Sequence, residues 1–206
     1  MDDVWQMVHA ERAALIRDLD DLDDGRWGEQ SLCARWTVHE VVAHLVDVAH
    51  QTRCGFVVAM ARARFDFDRQ NAHGVERYRG ASPRETLERL AHGASRRSTP
   101  PAQLDSRLVE EVVHGEDIRR PSGLSRPYPQ EAVVRSLRLQ VRTPASFGGA
   151  KELTARVRLE AVDADVSIGD GPVVSGPALS LLLAVCGRRA ALDDLEGAGV
   201  ATLAAP

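Results

Sequence analysis

The sequence predicts an α+β protein, with a four-helix bundle over residues 1–122 and a small α/β domain over residues 123–206. Three observations support this prediction. Four segments of the N-terminal part have the apolar spacing and the end signals of helices. Residues 153–162 instead alternate in polarity and are rich in strand-forming side chains. The 206-residue length corresponds to one or two domains at about 150 residues each.

The first two predicted helices begin at recognisable positions. Residues 2–22 carry apolar side chains at helical spacing. Thr37 and Glu40 have the pattern of a capping box, in which each side chain accepts a hydrogen bond from a backbone N–H group near the other. We expect the helix that they begin to continue toward Met60, and residues 64–80 to form a broken helix or a loop.

Two further helices complete the predicted bundle. Ser82 and Glu85 repeat the capping-box pattern, and Pro83 lies at the first helical position, where an N–H group is not needed. This predicts a helix to about residue 91, followed by a proline-containing linker. The fourth helix is expected over residues 104–120, with basic side chains at its negative end.

After the predicted bundle, the sequence changes from helical patterns to strand and turn patterns. Residues 153–162 predict a strand, and residues 165–168 predict a second, shorter strand. Gly169-Asp170-Gly171 predicts a tight turn. Ser175-Gly176-Pro177 is expected to cap a helix that ends after Val185. These elements predict the small C-terminal α/β domain.

Composition excludes several classes of protein. The chain is 44% hydrophobic and 27% charged, which is typical of a globular protein and not of a disordered one. The net charge is −4 and the arginines are interleaved with acidic residues, so we expect no nucleic-acid partner. The longest apolar run, near residues 181–186, is far shorter than the ~20 residues that span a bilayer, so we expect no membrane segment.

The cysteines and the N-terminal segment indicate a reducing compartment. Cys33, Cys54 and Cys186 lie far apart and form no CxxC motif, which argues against a disulfide framework. The N-terminal segment has neither the basic region nor the apolar region of a signal peptide. We therefore expect a cytoplasmic protein. Lys151 is the single lysine among 26 basic residues, which indicates GC-rich coding.

The fourth predicted helix carries the most informative polar pattern. Glu110 and His114 are four residues apart, so both side chains project from the same face of a helix, and Asp117 continues this stripe by one turn. A carboxylate and an imidazole at this spacing can bind one zinc ion together. The alternative is a solvated surface pair, and spacing alone leaves both interpretations open.

A third ligand would have to come from another helix. His44 lies at the shoulder of the apolar stripe of the second predicted helix, where it can face the inside of a bundle. The alternative is an ordinary hydrogen-bonded histidine at the edge of the core. His39 and His50 fall toward the polar side of the same helix, and we expect them to be solvated.

Two weaker candidates remain outside this pattern. Cys33 could be a nucleophile, but no neighbouring motif activates it, and a buried inert thiol is the favoured interpretation. Asp163, Asp165 and Asp170 could suggest calcium, but they lack the EF-hand pattern, so we interpret them as solvated carboxylates of a turn.

Two segments of the chain resemble the signatures of a known family. Residues 31–45, SLCARWTVHEVVAHL, are similar to SLCxGWTVxDVVAHL, and residues 112–121, VVHGEDIRRP, are similar to HGxDIRRPLG. Both signatures are those of the mycothiol-dependent maleylpyruvate isomerase family, within the DinB-like metal-binding helical bundles. Residues 169–177 and 192–195 resemble the C-terminal domain of that family.

The resemblance implies a DinB-like four-helix bundle that binds one divalent metal ion, usually zinc. By motif position its ligands are His44, Glu110 and His114. Arg35 stands where the family commonly has glycine and Ser122 where it has leucine, and neither departure touches a ligand. The family occurs in actinobacteria, which fits the excess of arginine over lysine.

The resemblance also implies a cofactor and a reaction class. The cosubstrate would be mycothiol, whose thiol loses its proton at the metal and attacks an electrophilic small molecule, either in a maleylpyruvate isomerase-like cis–trans isomerisation or in an S-transfer. Asp117 is a candidate to orient His114 by accepting its second N–H; a solvated carboxylate or a partner of Arg120 is the alternative. A metal- or ligand-binding protein without turnover, and a regulatory module, are the competing functions.

Overall fold

The computed structural model describes residues 2–204, and the chain divides into two compact units, Met1–Pro127 and Tyr128–Pro206. The domain limits predicted at residues 122 and 123 stay a prediction. The architecture is mostly helical with a small sheet in the second unit, as the α+β prediction requires. Within residues 2–204, no helix combines the length and the apolar character needed to cross a membrane.

The first unit is built from helices around a central one. Its helices are α1 (Asp2–Asp20), α2 (Val38–His50), α3 (Arg53–Arg62), α4 (Phe67–Tyr78), α5 (Pro83–Gly93) and α6 (Ser106–Arg119). Helix α2 packs against α4, α5 and α6, and α1 packs against α5 and α6. The core of this unit comprises Leu15, Leu19, Trp27, Val38, Val41, Val42, Leu45, Val46, Leu87, Leu90 and Ile118. The four predicted helices correspond to α1, α2, α5 and α6.

Helix α2 begins as the sequence predicts. The Thr37 side chain accepts a hydrogen bond from the Glu40 N–H, and the Glu40 carboxylate accepts one from the Thr37 N–H, which completes the capping box. At α5 only half of the motif forms. Ser82 caps the Glu85 N–H, whereas the Glu85 carboxylate accepts from the Ala81 N–H.

The prediction that helix α2 continues toward Met60 is wrong. Helix α2 ends at His50, and Thr52 begins α3 by accepting a hydrogen bond from the Gly55 N–H. Residues 67–78 form a continuous helix, α4, where a broken helix or a loop was expected. The apolar stripe of α4 is weak because its buried residues include Gln70 and Gly74, which carry no apolar side chain.

The second unit combines helices with a three-stranded sheet. Its elements are α7 (Gln130–Gln140), α8 (Lys151–Thr154), β1 (Arg158–Ala161), β2 (Ser167–Ile168), β3 (Val173–Gly176), α9 (Ala178–Val185) and α10 (Val200–Ala204). The strand order is β2-β1-β3, with β1 antiparallel to β2 and parallel to β3. Helix α7, which the sequence analysis did not predict, packs against α9.

Two expectations for this unit need correction. The strand predicted from residue 153 begins only at Arg158, because Lys151–Thr154 forms a helical turn. The start of α9 is capped by Asp163, whose Oδ1 accepts from the Ala178 N–H at 2.8 Å. Ser175, the expected cap, instead pairs with Glu196 through the backbone.

Candidate metal centre

Three polar side chains converge inside the first unit, between α2 and α6. The Nε2 atom of His44 lies 3.2 Å from Glu110 Oε2, and the Nε2 atom of His114 lies 3.3 Å from the same oxygen. The two imidazole rings are 4.8 Å apart between centroids. One donor atom from each residue lies within 4.8 Å of those of the other two. Two imidazole nitrogens therefore face one carboxylate oxygen.

The sequence produces this convergence through helix periodicity and packing. Glu110 and His114 are four residues apart on α6, so their side chains share one face, and that face packs against α2. His44 is 4% exposed, and the Glu110 and His114 side chains are 22% and 12% exposed. The interpretation of Glu110 and His114 as a solvated surface pair does not hold.

Asp117 extends the polar stripe of α6 as predicted. Its Oδ2 atom lies 2.8 Å from His114 Nδ1, and its side chain is fully buried. The alternative of a solvated carboxylate is therefore wrong. Arg120, the other partner considered for Asp117, donates from Nε to Glu116 Oε2 at 2.9 Å. The structure thus places a carboxylate behind His114, on the side away from Glu110.

The charges of the cluster support each other. Burial raises the pKa of Glu110, but its hydrogen bonds with His114 and His44 outweigh this and hold the pKa well below its ordinary value. Burial lowers the pKa of His114, but its hydrogen bonds with Asp117 and Glu110 raise it to about 9. The carboxylates of Glu110 and Asp117 therefore favour positive charge at this position.

The comparisons identify the family of the chain. Residues 8–124 match the model of the mycothiol maleylpyruvate isomerase N-terminal domain. This chain belongs to that family. The match contains all three converging residues, as well as Asp117.

Two solved structures are similar to the chain over almost its whole length. One is a mycothiol-dependent maleylpyruvate isomerase, with 15% sequence identity and a TM-score of 0.66. The other is a histidine-to-alanine mutant of such an isomerase, with 14% identity and a TM-score of 0.67. Each alignment covers 96% of this chain and 92% of the other chain. At these identities the likeness shows the fold. No curated protein sequence matches the chain significantly.

In this member of the mycothiol maleylpyruvate isomerase N-terminal domain family, an arginine lies behind the central carboxylate. Arg107 Nη2 lies 3.7 Å from Glu110 Oε1, the oxygen that does not face the histidines. Arg107 is buried, and its Nη1 donates to the Val48 carbonyl at 3.3 Å. Burial lowers the pKa of Arg107, while Glu110 and Glu111 oppose that shift. The guanidinium thus lies on the side of Oε1, while Oε2 faces the two imidazoles.

A tryptophan from the loop before α2 forms one wall of the cluster. The Trp36 ring lies 4.8 Å from the His44 ring and 6.1 Å from the His114 ring, between centroids. Ser31 fixes this loop, because its backbone N–H and its hydroxyl both donate to the Trp36 carbonyl. From the sequence, Trp36 was expected only to pack under the loop before the second helix, and its contact with the two histidines was not predicted. Trp36 immediately precedes the Thr37 cap of α2, and this position is the signal that could have indicated a place beside His44.

The remaining histidines of α2 do not take part. His39 is buried, and its Nε2 lies 2.7 Å from Thr86 Oγ1, so the expectation that it is solvated is wrong. His50 is half-buried and stacks on Tyr78, which also contradicts that expectation. Both residues face neighbouring helices because α2 is covered on three sides, by α4, α5 and α6.

The two weaker candidates stay outside the cluster. Cys33 is half-buried and forms no disulfide. Asp163, Asp165 and Asp170 are exposed, and Asp163 serves as a helix cap. Histidine, cysteine, aspartate and glutamate side chains can bind metal ions. Across residues 2–204, the one group of three or more of them close enough to share an ion is His44, Glu110 and His114.

Proposed function

We propose that His44 Nε2, Glu110 Oε2 and His114 Nε2 bind one divalent metal ion, most simply zinc. The observation that carries this proposal is the convergence of both imidazole nitrogens on one carboxylate oxygen. Two histidines and one carboxylate form a common set of protein ligands for catalytic zinc, and three protein ligands leave a fourth position for water or substrate. The cluster fits a cation because its electrostatics already favour positive charge there.

The residues around the ligands have distinct tasks in this proposal. Asp117 accepts the Nδ1–H of His114, which fixes the ring with its Nε2 free to bind the metal. Arg107 holds the second oxygen of Glu110 away from the ion. Trp36 closes one side of the cluster against the two imidazole rings. A zinc ion bound by these ligands would lower the pKa of an incoming thiol, so that the thiol acts as a thiolate at neutral pH.

We further propose that this thiol belongs to mycothiol and that the protein is an enzyme acting on a small electrophile. Membership of the mycothiol maleylpyruvate isomerase N-terminal domain family supports the cosubstrate. The reaction is either the cis–trans isomerisation of a maleylpyruvate-like compound or the transfer of mycothiol to an electrophile. Both reactions need an activated thiol. In the isomerisation the thiol adds to the double bond and leaves again after rotation, whereas in the transfer it stays attached to the electrophile.

Metal analysis tests the first part of this proposal. The metal-free protein is titrated with zinc against a chromophoric chelator, and we expect one ion per chain. Glu110→Gln removes the charge that both histidines face and should weaken zinc binding by more than about 100-fold, beyond the loss typical of an outer-shell partner. Glu88→Gln, which changes an exposed glutamate on α5, should bind zinc like the wild type. Equal affinity of all three proteins would contradict the metal centre.

A thiol assay tests the second part. The zinc-loaded and the chelator-treated proteins are each incubated with mycothiol and either maleylpyruvate or a general electrophile. Isomer formation and thiol loss are then followed. We expect one of the two reactions with the zinc-loaded protein and neither after metal removal. If zinc binds but neither reaction occurs, and mycothiol does not raise the unfolding temperature, the function is metal binding without turnover.

A further inference from the structure

The two helices that build the cluster carry the same short pattern. His44-Leu45-Val46-Asp47 on α2 and His114-Gly115-Glu116-Asp117 on α6 both place an aspartate three residues after a converging histidine. Residues three apart lie on the same side of a helix, one turn from each other. Both histidines direct Nε2 toward Glu110 Oε2, so both direct Nδ1 away from it.

The two patterns differ in one contact. On α6, His114 Nδ1 and Asp117 Oδ2 form a 2.8 Å hydrogen bond. On α2, the corresponding atoms, His44 Nδ1 and Asp47 Oδ2, are both buried, and neither has a hydrogen-bond partner among the described residues. A buried donor and a buried acceptor without partners are both unfavourable, so a bond between them would satisfy two groups at once.

The Asp47 side chain packs closely against the backbone of α4. It faces α4, where a Cβ atom added to Gly74 would lie 2.5 Å from Asp47 Oδ2. The carboxylate therefore occupies the space that a side chain at position 74 would fill. Gln70 and Arg77, also on α4, interact favourably with Asp47, and His44 does so from α2. The side chain of Asp47 is thus close to His44 without the fixed bond that holds Asp117.

We propose that Asp47 is the positioning residue of His44 and accepts its Nδ1–H when a metal ion is bound at Nε2. The inference rests on the metal centre proposed above. It assigns each histidine ligand its own aspartate, one helix turn away. Ligand histidines usually donate their second ring N–H to a carboxylate or a carbonyl, and removing such a partner typically weakens metal binding about 10–100-fold.

Three variants compared in zinc competition test this assignment. Asp47→Ala should weaken zinc binding by about 10–100-fold, and Asp117→Ala should weaken it to a similar extent. Asp68→Ala removes an exposed aspartate that pairs with Arg35 and should leave the affinity unchanged. If Asp47→Ala binds zinc as tightly as Asp68→Ala while Asp117→Ala is weakened, the assignment is wrong. If the wild type binds no zinc, the metal centre itself is wrong and this inference falls with it.

An NMR measurement separates a positioning role from a general loss of structure. In the zinc-loaded wild type, the Nδ1–H proton of His44 should give a slowly exchanging downfield signal like that of His114. Asp47→Asn keeps an acceptor of nearly the same shape, and it should retain the fold and shift the His44 signal alone. A signal of His44 that is the same in the wild type and in Asp47→Asn would overturn the proposal.

Discussion

Two buried histidines of α2, five residues apart, have opposite surroundings. His39 lies 2.7 Å from the Thr86 hydroxyl and packs edge-on against Trp27. His44 lies 3.2 Å from the Glu110 carboxylate and packs beside Trp36. Each imidazole thus has one polar partner and one indole neighbour. The partner decides the role, because a hydroxyl satisfies a neutral imidazole, whereas a carboxylate shared by two imidazoles favours a cation between them.

Replacing each histidine by alanine should produce the largest difference in zinc affinity between two variants. His44→Ala removes a ligand, and we expect zinc affinity to fall by more than about 100-fold, beyond the outer-shell range, while the metal-free protein remains folded. His39→Ala should keep zinc binding and lower the free energy of unfolding, because it removes the buried hydrogen bond to Thr86 and leaves a cavity between α2 and α5. Zinc competition and urea unfolding measure the two effects. Equal effects of both variants on zinc binding would contradict the claim that His44 is a ligand and His39 is not.

Removing the hydroxyl partner of His39 should have a smaller effect. Thr86→Val keeps the shape of the side chain but leaves His39 Nε2 and the Gly80 N–H, which also binds the hydroxyl, without their partner. The expected loss in the free energy of unfolding is about 1–3 kcal/mol. Thr99→Val, at a half-buried threonine in the linker after α5, is the control and should change little. A loss of zinc affinity in Thr86→Val would mean that His39 and His44 belong to the same site.

The pH dependence of stability should carry the signature of His39. Burial lowers the pKa of His39 below its ordinary value of 6.5, and the nearby Arg79 cation lowers it further. The Glu40 carboxylate opposes this shift only in part. The unfolded chain therefore binds more protons below pH 6.5, so this contribution to stability is present above that pH and is lost as the pH falls toward the lowered pKa. Urea unfolding at pH 7.5 and 5.5 should show a smaller drop for His39→Gln than for the wild type. A drop of equal size would show that His39 does not titrate in this way.

The indole beside His44 should give the smallest effect. Trp36→Leu removes an aromatic pair worth about 0.5–1.5 kcal/mol, so we expect zinc affinity to change by no more than about tenfold. Trp36→Phe keeps a ring and should restore most of the difference. Zinc competition measures both variants. A loss as large as that of His44→Ala would mean that Trp36 shapes the ligand set itself.

The sequence predicted the parts of the site that depend on local rules. The capping box of Thr37 and Glu40 located the start of α2, and the four-residue spacing of Glu110 and His114 placed them on one face. The signatures that carry the family resemblance supplied His44 as the third residue. The Asp117 contact followed from the same helical spacing.

Other features depend on packing that the sequence does not display. His39 was expected to be solvated because it lies off the apolar stripe, but α5 covers that side and provides Thr86. Helix α4 was not predicted as a continuous helix because its buried face includes a glutamine and a glycine. Asp47 was overlooked, although the repeated His-x-x-Asp pattern was visible in the sequence. Its significance appears only with the two unpartnered atoms.

The central claim is that His44, Glu110 and His114 share one metal ion while His39 does not take part. Crystals of the zinc-loaded protein, measured on both sides of the zinc absorption edge, test it most directly. The account predicts one anomalous peak about 2.0–2.2 Å from His44 Nε2, His114 Nε2 and a Glu110 oxygen. A peak at any other residues, or no peak between α2 and α6, would contradict it.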